Sequence, residues 1–236
     1  MIAAGLALLA VGVADLIRQF QTTRRRWIAM ALAAVVIFLV AVLVDAAVWG
    51  LVALAVAAAW VLTMPARGGA RAGLWPVGLF GAALAGAVIV AGPRAATTAF
   101  DTLWALPAPG ESVPVDLLVL VVGAVAFLLE SSNIVVRTAL RAEHTAVPDE
   151  TEAPAAGGLK GGRLIGPLER VIVFALMLTG AYTLIAAVLA AKGIVRFPEI
   201  SRDSTDGNRA EFFLVGSLVS WVLALAAALL VWWAAR

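Results

Sequence analysis

The sequence predicts an all-α fold: a polytopic transmembrane bundle of eight helices, or seven if Leu164–Phe197 is a single span. Three observations predict it. Of 236 residues, 63% are hydrophobic and only 14% charged, whereas a soluble domain is nearer half apolar and a quarter charged. Several windows of about eighteen residues carry no charge, as a membrane helix requires. The basic residues gather in the polar segments between those windows.

Met1–Ala14 is apolar and is followed by Asp15, Arg18 and the cluster Arg24, Arg25 and Arg26. A secretory signal has its basic residues before the apolar run and a small-residue cleavage site after it. The order here is reversed, so we read a first membrane helix with its N-terminus outside. Asp15 and Arg18 read as an interfacial i,i+3 pair. Trp27–Met64 holds one charge, Asp45. As one helix it would reach about 57 Å, against a bilayer core of ~30 Å. It is therefore two helices turning within Asp45–Gly50, with Asp45 a turn residue. Trp27, Trp49 and Trp60 are placed near the interfaces, where amphipathic rings prefer to lie.

Pro65–Gly73 is a loop, cytoplasmic by its Arg67 and Arg71. Leu74–Ala91 is a fourth span; its Gly78, Gly81 and Gly86 suggest close approach to neighbours inside the bundle. The loop 92–116 is Pro-rich and amphipathic at its centre, which suits the outer surface. Leu117–Leu140 is a fifth span and carries the polar cluster FLLESSNIVVR. Residues 1–136 thus form an N-terminal set of membrane helices. Residues 137–162 form a flexible acidic linker, whose stretch 142–160 is expected in the cytoplasm. Residues 163–236 form a C-terminal set, closing with a helix from Ala210 that ends in Trp232 and Trp233.

Gly161–Glu199 sets an apolar run, Val171–Ala191, between two charged motifs, GGRLIGPLER and AAKGIVRFPE. A hairpin over 164–197, turning near Gly180, puts 15 basic residues in the cytoplasm against 2 outside. A single span gives 12 against 5. The positive-inside rule prefers the hairpin. Arm length argues against it, since each arm would reach only roughly 24–26 Å; snorkelling and local thinning absorb such a mismatch.

Charges near lipid are expensive and tend to be used. The candidate polar, lipid or anion site comprises Glu130, Asn133, Arg137, Arg163, Glu169, Arg170, Lys192, Arg196 and Glu199. Glu130, Asn133, Arg137 and Arg141 are spaced to share one helix face. Glu130 is expected to pair with a base, from Lys192, Arg170 and Arg137. Pro167 suits the first turn of a helix, with amides near Gly166 open to an anion. Under the hairpin, Glu169 could meet Lys192 or Arg196, and Glu199 could meet Arg163 or Arg170.

GGRLIGPLER, AAKGIVRFPEIS and AEFFLVGSLVSW, with ESSNIVVR upstream, resemble a set of uncharacterised integral membrane proteins of GC-rich Gram-positive bacteria. The resemblance covers Val115 to Trp233. It implies membrane location and carries no assigned activity.

Cys is absent and His144 is the only His, so thiolate chemistry, a Ser-His-Asp triad and a poly-His metal site are excluded. No aspartate cluster suits Mg²⁺. No metal or cofactor is expected. A net charge of +2, with no separate basic domain, does not suggest nucleic acid. The expected partners are membrane lipids, with a second copy or another membrane protein as further possibilities. The expected location is the cell membrane, crossed several times. The preferred function is a non-enzymatic permease-like, channel or scaffold protein with a charged cytoplasmic-side site. The alternative is a lipid-handling enzyme using Glu130 or Glu169 as acid or base, with arginines on a phosphate headgroup.

Overall fold

A computed structural model of the chain describes residues 1–64, 74–90, 114–143, 162–201 and 208–235. The loop expected at Pro65–Gly73, residues 92–113 of the loop expected on the outer surface, and residues 144–161 of the expected linker lie outside the described residues, as do the side chains of Arg163, Arg196 and Glu199. The described residues are all-helical: α1 (Ile2–Phe20), α2 (Thr23–Leu43), α3 (Ala47–Thr63), α4 (Leu74–Val90), α5 (Val115–Ala126), α6 (Ser132–Glu143), α7 (Gly162–Leu178), α8 (Tyr182–Ser201) and α9 (Asn208–Ala234). A five-residue π segment, Phe127–Ser131, joins α5 to α6 without a break. The helical rods among the described residues therefore number eight, as the sequence predicts. Four of them are long and apolar enough to cross a membrane: Ile2–Phe20, Arg24–Leu43, Val115–Ala142 and Phe213–Ala234.

Two helical hairpins are closed by one device. At the α2–α3 turn Asp45 has φ 52°. The Asp45 N–H donates to the Val42 carbonyl at 3.1 Å and the Ala46 N–H to Ala41 at 2.7 Å. At the α7–α8 turn Gly180 has φ 71°. There Gly180 N–H donates to Met177 at 3.1 Å and Ala181 N–H to Leu176 at 2.9 Å. Both are Schellman ends, in which a left-handed residue lets the last carbonyls find donors. Asp45 and Gly180 are thus turn residues, as expected from the sequence. A Cβ at Gly180 would meet nothing within 4 Å, so only the backbone conformation opposes one. Gly180→Ala should cost about 1–2 kcal/mol and Gly180→Asn clearly less. Thermal unfolding of the purified variants in detergent checks the order; equal stability would remove the left-handed turn as the reason for Gly180.

The bundle is assembled around α1, which is buried on nearly every side from Ile2 to Gly12. It runs parallel to α5 at backbone contact. A Cβ on Gly5 would stand 2.8 Å from Leu120 N, and one on Gly12 would stand 2.5 Å from the Ala126 carbonyl carbon. On the facing helix, a Cβ on Gly123 would stand 2.3 Å from Gly5 O. Small residues permit this approach, and between apolar helices such packing supplies much of the association energy. α2, α3 and α4 also pack on α1, while α9 packs on α6 and α7.

Three expectations for the N-terminal helices are corrected. The α4 glycines do not mediate close packing: a Cβ at Gly78, Gly81 or Gly86 would meet nothing within 4 Å. α4 docks instead through Phe80, whose ring lies 5.2 Å from that of Trp60 and 5.6 Å from that of Phe127. Trp60 does not face outward as a belt ring would but packs in the protein core, 3% exposed. The Asp15–Arg18 pair forms, at 3.0 Å, but Asp15 is wholly buried. It also accepts the Trp60 indole N–H at 2.9 Å, while Arg18 donates to the Met64 carbonyl at 2.7 Å. This cluster ties the C-terminal end of α1 to that of α3.

Candidate functional site

Five of the polar residues singled out in the second half of the chain, Glu130, Asn133, Glu169, Arg170 and Lys192, come together where α6, α7, α8 and α9 meet. The π segment prepares the site. Its wider turn shifts the register of the helix, so residues before and after it no longer hold the spacing of a regular α-helix. Glu130 and Ser131, within this segment, are buried, while Arg137 and Arg141, further along α6, are exposed. Of the 130, 133, 137, 141 set, Glu130 and Asn133 make the hydrogen bonds of the network, and Arg137 and Arg141 stand exposed on α6.

Asn133 is the connector. Its Nδ2 donates to Glu130 Oε2 at 3.1 Å and to the Leu129 carbonyl at 3.3 Å. Its Oδ1 accepts a hydrogen bond from Arg170 Nη2. Arg170, on α7, is the largest fully buried side chain among the described residues, 2% exposed. Its Nε donates to the Leu128 carbonyl at 3.0 Å and its Nη1 to Ser220 Oγ, on α9, at 3.2 Å. The planar guanidinium thus reaches the π segment, α6 and α9 at once, which a single ammonium could not do. Glu130 has its basic neighbour on another helix, through Asn133. Gly166 makes room for this, because a Cβ there would lie 3.6 Å from Arg170 Nη1 and 3.7 Å from Asn133 Oδ1.

Glu169, one residue earlier, faces a second partner. Lys192 Nζ lies 2.8 and 2.7 Å from Glu169 Oε1 and Oε2. This contact brings the two charged motifs together across the α7–α8 hairpin, by one of the pairings the sequence suggested. The Trp221 indole N–H donates to Glu169 Oε1 at 2.9 Å. The Lys192 ammonium also stands over the rings of Trp221 and Phe213, 5.4 and 5.7 Å from their centroids. Each such cation–π contact adds about 0.5–1 kcal/mol at a partly exposed position.

Sequence reasoning missed Phe213, Ser220 and Trp221. All three lie in the segment AEFFLVGSLVSW, which carries no basic residue to draw attention. The expected first-turn role of Pro167 is also corrected. α7 begins at Gly162 and Pro167 lies inside it, so the helix is continuous from Gly162 to Arg170 with no broken entry at Gly166.

The chemistry of the assembly follows from its balance. Glu130 and Glu169 face Arg170 and Lys192, so these four groups are formally neutral together. Glu169 already holds an ammonium and an indole N–H, and Glu130 holds the Asn133 amide. Either carboxylate would have to surrender those donors before acting as a general acid or base. Arg170 spends its donors on three protein acceptors, which leaves little for a phosphate. Among the described residues no group of three or more His, Asp or Glu could hold a metal ion. No family model, curated protein or solved structure matches the chain.

Proposed function

We propose that this chain is a multi-pass protein of the cell membrane and a non-enzymatic, permease-like carrier, whose working site is the Glu130–Asn133–Arg170–Glu169–Lys192 assembly. The observation that supports it is the network itself: two acids and two bases brought together from three helical rods and bonded to α9 through Ser220 and Trp221, with Arg170 fully buried. Buried ion pairs are a poor way to gain stability, since well-packed apolar residues often do as well. Ionisable groups inside a membrane bundle mark substrate or ion pathways more often than structural joints. The helices outside this junction carry large exposed apolar residues, among them Leu32 on α2, Leu62 on α3 and Ile89 on α4, as lipid-facing surfaces do.

The charge distribution of the loops places the Arg170–Lys192 end of the α7–α8 hairpin, with the acidic linker, in the cytoplasm. In this Cys-free chain, Arg163→Cys and Arg196→Cys should both label only from the cytoplasmic side. Labelling of both from outside would invert the topology.

Transport is tested in proteoliposomes on a solid-supported membrane, with concentration jumps of sodium, phosphate, choline and ethanolamine. At least one solute should produce a transient current, reduced at least tenfold by Glu169→Gln. No signal from any of them, with protein that elutes as a folded species, sinks the carrier reading.

A further inference from the structure

We propose that Glu169, Phe213 and Trp221 form a binding cage for an organic ammonium group, and that Lys192 is its resident occupant. The inference rests on the carrier reading for its consequence, a substrate class, and on the geometry of the cage for binding. A carboxylate beside two aromatic faces is the arrangement that recognises alkylated ammonium ligands, because ring quadrupoles and a negative charge attract a cation that has few or no N–H donors. Here the Lys192 ammonium fills that place, 2.7 Å from Glu169 Oε2 and 5.4 and 5.7 Å from the two ring centroids.

The cage is held together independently of its occupant. The Trp221 N–H bond to Glu169 Oε1, at 2.9 Å, fixes carboxylate and indole to each other. Phe213 and Trp221 belong to one helix, α9, so their separation does not depend on α8. The occupant, by contrast, comes from the helix most lightly attached. α8 packs on α7 and α9 through a small cluster of Ile185 with Val173 and Ala224, joined by Val188 and Leu189. Beyond Lys192 it is open: a Cβ on Gly193 would meet nothing within 4 Å, and Ile194 and Val195 are 72% and 75% exposed. The cage is also reachable, since 24% of the Lys192 side chain and 11% of that of Glu169 are exposed.

Electrostatics then couples the two occupants. A carboxylate left unpaired at this depth is costly, so Lys192 leaves only when another cation takes its place. Arrival of the ligand frees the C-terminal half of α8, and departure draws it back. Lys192 is in this sense a tethered competitor that sets both the affinity of the site and the position of α8.

The chain has two lysines, Lys160 and Lys192, which gives a direct readout in the unmodified protein. Acetylation by a water-soluble reagent, followed by mass spectrometry, should rise severalfold at Lys192 in excess choline or tetramethylammonium and stay constant at Lys160. In equilibrium dialysis with labelled choline, Lys192→Ala should bind at least tenfold more tightly than the natural protein. Adding Glu169→Gln or Phe213→Leu to that variant should remove most of the gain. Nanodiscs separate the sources of the ammonium. A rise with phosphatidylcholine alone assigns the cage to a lipid headgroup, and a rise with free choline assigns it to a soluble ligand. No change in Lys192 labelling under any of these conditions overturns the proposal, as does choline binding indifferent to Glu169→Gln and Phe213→Leu. Choline binding without flux in proteoliposomes keeps the cage and removes the carrier reading. Flux of another solute with no cage binding does the reverse.

Discussion

Replacing Arg170 with methionine should destabilise the protein by about 3–5 kcal/mol, the usual consequence of removing one member of a buried, hydrogen-bonded charge pair. Methionine fills similar space, so the loss is electrostatic and directional. The Leu128 carbonyl, Asn133 Oδ1 and Ser220 Oγ each lose the donor that Arg170 gives them. Glu130 loses the cation that faces it through Asn133. Arg170→Lys should recover only part of this, because one ammonium on a flexible stem cannot serve three acceptors on three segments. Arg137→Met, at an exposed position on α6, should stay within about 0.5 kcal/mol of the natural protein. Thermal unfolding in detergent, read by the loss of the monodisperse peak, gives the order. A double cycle adds a sharper condition. If Arg170 and Glu130 act as one unit, Glu130→Leu with Arg170→Met costs less than the two single changes added together. Strict additivity, or an Arg170→Met protein as stable as Arg137→Met, would show that the network does not hold α6, α7 and α9 together.

The fold was legible where charge and length restrict the answer. Asp45, alone in a long apolar run, marked the α2–α3 turn. Gly180, midway between two charged motifs, marked the α7–α8 turn, and the basic-residue balance chose the hairpin over a single span. Glu169 and Lys192 were visible for the same reason: ions beside apolar runs stand out. What stayed hidden depends on rotation about helix axes. In a chain this apolar, lipid-facing and core-facing sides have nearly the same composition, so α1 gave no sign of being the centre of the bundle. The glycines of α4 and those of α1 and α5 read alike, although only the latter meet a neighbouring backbone. The π segment is a change of hydrogen-bond register that composition does not record. Trp60 reads as an interfacial ring because many membrane tryptophans are, and Trp221 carries no signal of its own in the sequence. Each instead has its indole N–H on a carboxylate, Asp15 in one case and Glu169 in the other. Carboxylates needing donors, Asp15 buried near the end of α1 and Glu169 half-buried in α7, were the signal that would have found them.

Gly123→Ala should cost about 3 kcal/mol, at the upper end of what overpacking does to a tight interior, and Gly123→Leu should prevent stable assembly. The added Cβ would lie 2.3 Å from Gly5 O, 3.0 Å from Leu9 N and 3.2 Å from Leu8 Cβ. Two of the three obstacles are backbone atoms, which cannot swing aside as the end of a side chain can, so α1 and α5 must separate. Separation would not stay local. Gly12 makes the same kind of contact one step further along, with Ala126 and Phe127. Just beyond it Asp15 holds Trp60 of α3, and Phe127 stacks on Phe80 of α4. Moving α1 away from α5 therefore strains the attachments of α3 and α4 as well. The comparison that isolates this cause is Gly81→Ala. Its Cβ enters open space, and alanine is favoured over glycine in a helix by roughly 0.8–1.0 kcal/mol, so that variant should be neutral or slightly more stable. Both changes add one methyl group to a glycine in an apolar helix, and only the distance to the neighbouring backbone differs. Unfolding temperatures measured side by side in one detergent should fall for Gly5→Ala, Gly12→Ala and Gly123→Ala and hold or rise for Gly78→Ala, Gly81→Ala and Gly86→Ala. Equal behaviour of the two sets would mean that α1 and α5 do not cross at backbone contact, and α1 would lose its place at the centre of the bundle.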